Sequence, residues 1–353
     1  MPSKHKIFFV HGVGDDAGKW STRIREDFEK LFDSYPRPPG GQPFAAMFET
    51  HEVLYNDLFD AWRQRIAQDA GKALKELAAG GLPNETILRL FQAGQAAGGG
   101  GFFRTHALDV LQYRFLELID MPVRVAVDKA IKSELPNNEF GVPVGWSVIA
   151  HSLGTSVVHD MLHQVFNPAS AEENATLFQP RAVLMLANVS QLLHNPKVLG
   201  AGVDAYKSFV RPRARTSDGA CRYLLSAANR LDPIAFAGDY DPPADWRAQA
   251  GDRFLDLEFT AFPKSRNVHG YAEYLAHPAV HIPLFRTLTD RPDWIGADTE
   301  RKALEKYAAE NPVPDLERLA LEKLRQQLNL DDWVARIKAW KEVLDKYTRE
   351  QQP

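Results

Sequence analysis

The sequence has a single cysteine, no long uncharged apolar run and no strong excess of either charge. The single cysteine, Cys221, cannot form an intramolecular disulfide, so the fold depends on an apolar core. A chain of 353 residues that is 44% hydrophobic can bury a core of sufficient size. No apolar run reaches the roughly 18 residues that a membrane-spanning helix needs. A formal net charge of -4 disfavours a nucleic-acid partner, and we expect none.

The N-terminal residues also lack the features of a secretory signal. The apolar run at 7–10 ends at His11-Gly12 without a small-residue cleavage site, and it is therefore predicted to be the first β-strand. With no transmembrane segment expected either, the default expectation is a soluble cytoplasmic protein.

The most informative stretch is VGWSVIAHSLGTSVVHDMLHQVF, at 144–166. Its first part, 144–150, is an apolar run of strand length, and from Leu153 onward apolar residues recur every three or four positions, as in a helix. The pentapeptide AHSLG at 150–154 joins the two. Small residues suit this turn, because the strand and helix backbones crowd around an exposed serine, Ser152.

Three further polar segments each follow a predicted strand. His11-Gly12 follows the first strand, Asp232 follows the fifth and His269 follows the sixth. Because the carboxyl ends of parallel strands meet at one edge of a sheet, we expect all of them to lie near Ser152.

These residues, in this order, resemble the lipase and esterase branch of the α/β-hydrolase superfamily. The resemblance implies that Ser152 is the nucleophile, that His269 is its base and that Asp232 orients the base. A serine hydroxyl is a poor nucleophile until such a base takes its proton. The resemblance also implies an oxyanion hole formed by the backbone N–H groups of Val13 and Leu153.

The implied activity is hydrolysis of a carboxylic ester, of a small molecule or a lipid, through an acyl-enzyme and without a cofactor. We expect His11, Gly12 and His151 to line the substrate pocket. An amidase or an acyltransferase would use the same triad, and a catalytically silent binding protein would keep the same fold, so these alternatives stay open.

Two other motifs indicate different chemistry. GVGDDA at 12–17 fits the dinucleotide fingerprint of an oxidoreductase, but Asp15 and Asp16 would bring negative charge to the helix N-terminus that should receive a pyrophosphate. HDMLH at 159–163 has the histidine spacing of a zinc motif but lacks its glutamate. Its two histidines are interpreted as structural, and no metal is predicted.

Two members of the triad have competitors nearby in the sequence. Asp239 or Asp241 could be the acid of the triad in place of Asp232. His277 or His281 could be the base in place of His269, but we expect both to be ordinary polar residues at the start of a helix.

The predicted fold is of the α/β class. It is an α/β-hydrolase fold whose mostly parallel sheet is doubly wound, with a helical cap insertion and a C-terminal helical extension. Strands are predicted at 7–10, within 45–55, and at 144–150, 182–188, 222–228 and 253–259, the last as a half-buried edge strand. The core is assigned to 1–56 and 142–296, the cap to 57–141 and the extension to 297–353.

Two features of the added segments bear on function. In the cap, apolar residues surround a glycine-rich stretch at 94–101, which suits a lid over an acyl-chain pocket or an ordinary helical subdomain. In the extension, apolar residues at 333–347 recur at helical spacing. This pattern predicts a helical hairpin folded back on the core, or a homodimer through these helices.

Overall fold

The structure, a computed structural model, describes residues 3–12, 20–37, 41–55, 57–59, 113, 117–135, 144–167, 178–191, 208–213, 219–232, 240, 242, 250–264 and 267–313. The glycine-rich stretch at 94–101, most of the predicted cap and the helices expected at 333–347 lie outside these residues. The strands are β1 (His5–Val10), β2 (Phe48–Val53), β3 (Trp146–His151), β4 (Ala182–Leu186), β5 (Tyr223–Asn229) and β6 (Phe254–Phe259). The helices are α1 (Thr22–Asp33), α2 (Phe44–Met47), α3 (Glu117–Ser133), α4 (Leu153–Phe166), α5 (Tyr271–Ala276), α6 (Pro278–Thr289) and α7 (Ala297–Glu310).

The strands form a 6-stranded sheet in the order β2-β1-β3-β4-β5-β6, and every pair is parallel. Parallel strands are joined by crossovers that cover both faces of a sheet, which is why β3 and β4 are buried along their whole length, β4 being entirely apolar and β3 mostly so. At the edge, β6 exposes Asp256 and Glu258 and buries Phe259. The prediction of an α/β fold with a parallel sheet and a half-buried edge strand at 253–259 is confirmed.

Alternate residues of β1 contribute to two cores, one on each face of the sheet. Phe8 and Val10 lie in the core that α3 and α4 cover, whereas Ile7 and Phe9 lie in the core that α1, α5 and α6 cover. The side-chain period of two along a strand produces this division. The sheet is therefore covered by helices on both faces.

The strand order reverses at β1, and this reversal defines where a ligand would bind. From β1 the chain moves outward to β2, and it later returns to place β3 on the other side of β1. In open α/β sheets, ligands bind at such a reversal, outside the carboxyl ends of the strands. Here those ends are followed by His11 and by Ser152.

Most predicted elements differ from the structure only at their ends. The strand predicted at 182–188 ends at Leu186, because Ala187 has a φ of 47° and leaves the extended conformation. The predicted crossover helix at 123–135 begins earlier, at Glu117. The single helical turn α2 was not predicted.

The described part of the C-terminal extension folds back onto the core. In α7, Glu300 accepts a hydrogen bond of 2.7 Å from the guanidinium of Arg286 in α6, and the ring of Tyr307 lies 4.5 Å from that of His277. Among the described residues, no helix is both long enough and apolar enough to cross a membrane.

Three histidines, at 5, 277 and 281, are expected to make the stability of this core depend on pH. Burial lowers the pKa of His5 to about 3, of His277 to about 4 and of His281 to about 3, from an ordinary value of 6.5. The unfolded chain therefore binds protons that the folded chain does not. It follows that these three groups leave the free energy of unfolding undiminished above about pH 6.5 and lower it as the pH drops toward their lowered pKa values.

We expect the substitution His281→Gln to remove about one of the protons taken up on unfolding. The slope of the unfolding free energy against pH should then fall by about 1.4 kcal/mol per pH unit between about pH 4.5 and 6. In the folded chain His281 accepts from the Tyr35 hydroxyl (2.8 Å) and donates to the Leu275 carbonyl (3.0 Å), so its ring is held neutral. Urea unfolding at a series of pH values measures the slope for both proteins. If the free energy of unfolding changed with pH equally in both proteins, the assignment of a neutral, buried His281 would be contradicted.

Candidate active site

Ser152 lies in a sharp turn between β3 and α4, with a φ of 53° and a ψ of -128°. A non-glycine residue costs about 1–3 kcal/mol in such a conformation and keeps it only when its surroundings hold it there. The Ser152 N–H donates to the Leu186 carbonyl at the end of β4 (3.0 Å), which anchors the turn to the sheet. The turn places Ser152 at the carboxyl edge of the sheet and at the N-terminus of α4.

Two glycines allow the backbones around this turn to approach closely. A Cβ at Gly12 would lie 2.9 Å from the Cβ of Ser152, and a Cβ at Gly154 would lie 2.7 Å from the His11 carbonyl oxygen. Ala150, the first small residue of the AHSLG pentapeptide, is fully buried. The small residues of the motif are therefore required by contact between the end of β1 and the start of α4.

The structure brings together the three residues that the sequence predicted as a triad. The Nε2 atom of His269 lies 3.0 Å from the Oγ of Ser152, and its Nδ1 atom lies 2.7 Å from the Oδ2 of Asp232. All three are buried, with exposed fractions of 4% for Ser152, 4% for His269 and 0% for Asp232. A proton on Nδ1 is donated to the carboxylate, which leaves Nε2 as an acceptor for the serine hydroxyl.

The Asp232 carboxylate also accepts a hydrogen bond from the Tyr274 hydroxyl, at 2.7 Å to the same oxygen that His269 contacts. Burial, together with the neighbouring Asp232 charge, raises the pKa of Tyr274 well above its ordinary value, so the hydroxyl stays protonated and donates. A fully buried carboxylate needs such donors to offset the loss of water. Two donors on one oxygen thus hold the acid in place.

Asn229, the last residue of β5, ties together the loops that carry the acid and the base. Its side-chain oxygen accepts from the Leu231 and Ala261 N–H groups, each at 3.1 Å. Its amide nitrogen donates to the Val268 carbonyl at 3.4 Å, next to the base. One buried amide therefore sets the spacing between the two loops.

Neither Asn229 nor Tyr274 was assigned a role from the sequence. Asn229 directly follows the strand predicted at 222–228, and this position is the sequence signal that could have indicated it. Tyr274 has no such signal, because its contact with Asp232 depends on how α5 packs against the loop after β5.

One of the two predicted oxyanion donors lies among the described residues. Leu153 is the first residue of α4, so its N–H is among the helix donors that have no acceptor within the helix, at the positive end of the helix dipole. A Cβ at Gly12 would lie 3.1 Å from this nitrogen, so the end of β1 lies directly beside it. Val13 lies outside the described residues.

No protein-family model, curated protein or solved structure matches this chain. What the site can do therefore follows from its geometry.

The three residues predicted to line the pocket take different positions. The ring of His11 lies 4.5 Å from that of Trp20, its Nδ1 atom is hydrogen-bonded to the Gly12 carbonyl, and the Tyr55 hydroxyl donates to the His11 carbonyl. Gly12 lies beside the nucleophile, since a Cβ there would be 2.9 Å from the Cβ of Ser152, and the ring of His11 lies 5.6 Å from that of His151. His151 instead packs against the base, with ring centroids 4.6 Å apart from His269.

A second chain of serine, histidine and aspartate lies away from the turn, with its histidine and aspartate on α4 and its serine outside that helix. The Nδ1 atom of His159 is 2.8 Å from Asp160 Oδ1, and its Nε2 atom is 2.8 Å from Ser208 Oγ. Ser208 also accepts the Val210 N–H at 3.0 Å, as in a local turn. Ser208 is followed by irregular backbone at 209–210 and not by a helix N-terminus, so Ser152 is the better candidate nucleophile.

The competitors of the triad are engaged elsewhere or are not described. His277 and His281 lie at the start of α6, as predicted, but both are buried; His277 accepts the Ala279 N–H at 3.2 Å. Asp239 and Asp241 lie outside the described residues. Among the residues that are described, no three His, Cys, Asp or Glu side chains are grouped so as to hold a metal ion.

We expect Tyr274→Phe to lower the free energy of unfolding by about 1–3 kcal/mol, since it removes a donor to Asp232 and the acceptor of the Asn229 N–H (3.1 Å). Tyr223→Phe is the matched control, because the Tyr223 hydroxyl makes only an exposed contact with Asp290 (3.3 Å) and its loss is expected to cost less than about 0.5 kcal/mol. Urea unfolding measures both. Equal losses of unfolding free energy in the two variants would contradict a stabilising role for the buried hydrogen bond between Tyr274 and Asp232.

We expect Gly154→Ala to destabilise the protein by about 1–3 kcal/mol, because the added Cβ would meet two backbone carbonyl oxygens, of His11 at 2.7 Å and Val10 at 2.8 Å. In the control Gly296→Ala the new Cβ would meet no atom within 4 Å, and we expect a change below about 0.5 kcal/mol. Thermal and urea unfolding of the two variants provide the comparison. A Gly154→Ala protein as stable as wild type would contradict the close approach of β1 and α4.

Proposed function

We propose that this chain is a serine hydrolase of the α/β-hydrolase fold that cleaves carboxylic esters through an acyl-enzyme. The observation that carries the proposal is the hydrogen-bonded chain from Ser152 to His269 (3.0 Å) and from His269 to Asp232 (2.7 Å). The strained turn at Ser152 and the parallel sheet that positions it support the same assignment.

In the proposed reaction Ser152 Oγ attacks the ester carbonyl while its proton passes to His269 Nε2. Asp232 stabilises the imidazolium that forms, and the alcohol leaves with the proton that His269 returns. Water then attacks the acyl-enzyme with His269 again as base, which releases the carboxylic acid and restores the serine hydroxyl.

Charge that develops on the carbonyl oxygen needs donors that are already in place. The Leu153 N–H at the start of α4 supplies one, and the family resemblance assigns the other to the N–H of Val13. One such donor is worth roughly a hundred- to a thousandfold in rate. Because the donor at Leu153 is a backbone N–H, substitution of the Leu153 side chain would leave it intact.

The described residues around His11 favour an apolar acyl or alcohol group rather than a charged one. The rings of Trp20 and Tyr271 lie 4.5 Å and 5.9 Å from that of His11, and Tyr271 is buried with its hydroxyl bonded to the Ile149 carbonyl (2.6 Å). A small-molecule ester or a lipid ester would both meet this requirement. An amidase or an acyltransferase would use the same three side chains, and the reaction products distinguish them.

We expect wild type to hydrolyse p-nitrophenyl esters and to react with a fluorophosphonate probe. Ser152→Ala should lose both activities, with turnover lower by on the order of 10⁴- to 10⁶-fold. The probe forms a phosphonate ester with an activated serine as fluoride leaves, so peptide mapping should place it on Ser152. Turnover across a series of acyl lengths then separates an esterase from a lipase.

The matched control is Ser208→Ala, which removes the other histidine-bonded serine and should leave labelling and turnover as in wild type. A label mapped to Ser208, or a folded wild type that neither labels nor turns over an ester, would contradict the proposal. The second outcome would favour a binding protein with the same fold.

A further inference from the structure

Two consecutive residues, His151 and Ser152, both contact His269. The Oγ of Ser152 lies 3.0 Å from the Nε2 of His269, and the Nε2 of His151 lies 2.7 Å from the backbone carbonyl oxygen of His269. In a regular strand, consecutive side chains point to opposite faces of the sheet. The φ of 53° at Ser152 interrupts this alternation, and both side chains then reach the same histidine.

His151 is held firmly enough to act as a support. It is the last residue of β3, its exposed fraction is 3%, and its ring lies 5.2 Å from that of Tyr271 and 6.0 Å from that of Tyr274. Because a carbonyl oxygen only accepts, Nε2 of His151 carries the proton of this bond. The donor therefore comes from the rigid sheet, and the acceptor is the loop that carries the base.

Two other backbone hydrogen bonds beside the base, among the described residues, are longer. The Gly270 N–H donates to the Asn267 carbonyl at 2.9 Å within the loop, and the Val268 carbonyl accepts from Asn229 at 3.4 Å. The contact from His151, at 2.7 Å, joins residues 118 positions apart and ties the backbone of the base itself to β3, the strand that leads to the nucleophile.

We propose that His151 is a positioning residue, which holds the backbone of His269 so that Nε2 of the base faces Ser152 Oγ. The proposal rests on the ester hydrolysis proposed above. His151 does not touch the reacting atoms in this role; it fixes the distance between the nucleophile and the base, on which proton transfer depends.

Two amide variants test the role of the donor. In His151→Gln the amide nitrogen reaches the position of the imidazole Nε2 and keeps the hydrogen bond, whereas the shorter side chain of His151→Asn ends near the position of Nδ1 and loses it. Both are polar and neutral, so they differ mainly in reach. His151→Met, which fills the site without a donor, replaces the asparagine variant if that protein does not fold.

The experiment measures kcat and KM for a p-nitrophenyl ester, with thermal unfolding as the check on folding. We expect His151→Asn to lower kcat by about 10- to 100-fold with KM within about threefold, because a displaced base impairs the chemical step and leaves binding intact. His151→Gln should recover kcat to within about threefold of wild type. A general loss of structure would not produce this recovery.

Each other outcome overturns the inference in a distinguishable way. A His151→Asn enzyme with wild-type kcat shows that the contact does not position the base. Equal losses in the glutamine and asparagine variants show that the imidazole acts otherwise than as a donor to the loop. A wild type without ester turnover contradicts the proposed function itself, and the inference with it.

Discussion

The left-handed turn at Ser152 is the constraint on which the candidate site depends. The backbone conformation of Ser152 costs about 1–3 kcal/mol, and without the surrounding structure the residue would relax to an unstrained conformation. Here the end of β4 holds the Ser152 N–H, and Gly12 and Gly154 let the end of β1 lie against the start of α4. The strain is sustained because both faces of the surrounding sheet are covered by apolar cores.

A buried negative charge is the second demand on the structure. Asp232 is fully buried, and its carboxylate is stabilised by donors from His269 and Tyr274 on one oxygen. The same network orders the loops after β5 and β6 through Asn229. The contacts that stabilise the acid therefore also position the base, so stability and proposed catalysis depend on the same residues.

The sequence predicted those features that leave a local pattern. Parallel strands buried on both faces are largely apolar, and this pattern located β3 and β4. Residues just past strand ends meet at one edge of the sheet, and this rule grouped Ser152, Asp232 and His269. Contacts set by distant packing leave no such pattern. The bond from His151 to the backbone of His269 spans 118 positions, and the sequence indicated only a pocket residue at 151. Likewise, no local signal indicates that a tyrosine of α5 will reach the acid.

The most direct test of the central claim is to trap the covalent intermediate. Wild type is mixed with p-nitrophenyl acetate, quenched in acid during the first turnovers and digested, and the peptide that spans 144–166 is analysed by mass spectrometry. The account predicts an acetyl group on Ser152, absent from His269→Ala treated in the same way. Release of p-nitrophenolate with no acetyl group on Ser152, or with the acetyl group on Ser208, would contradict it.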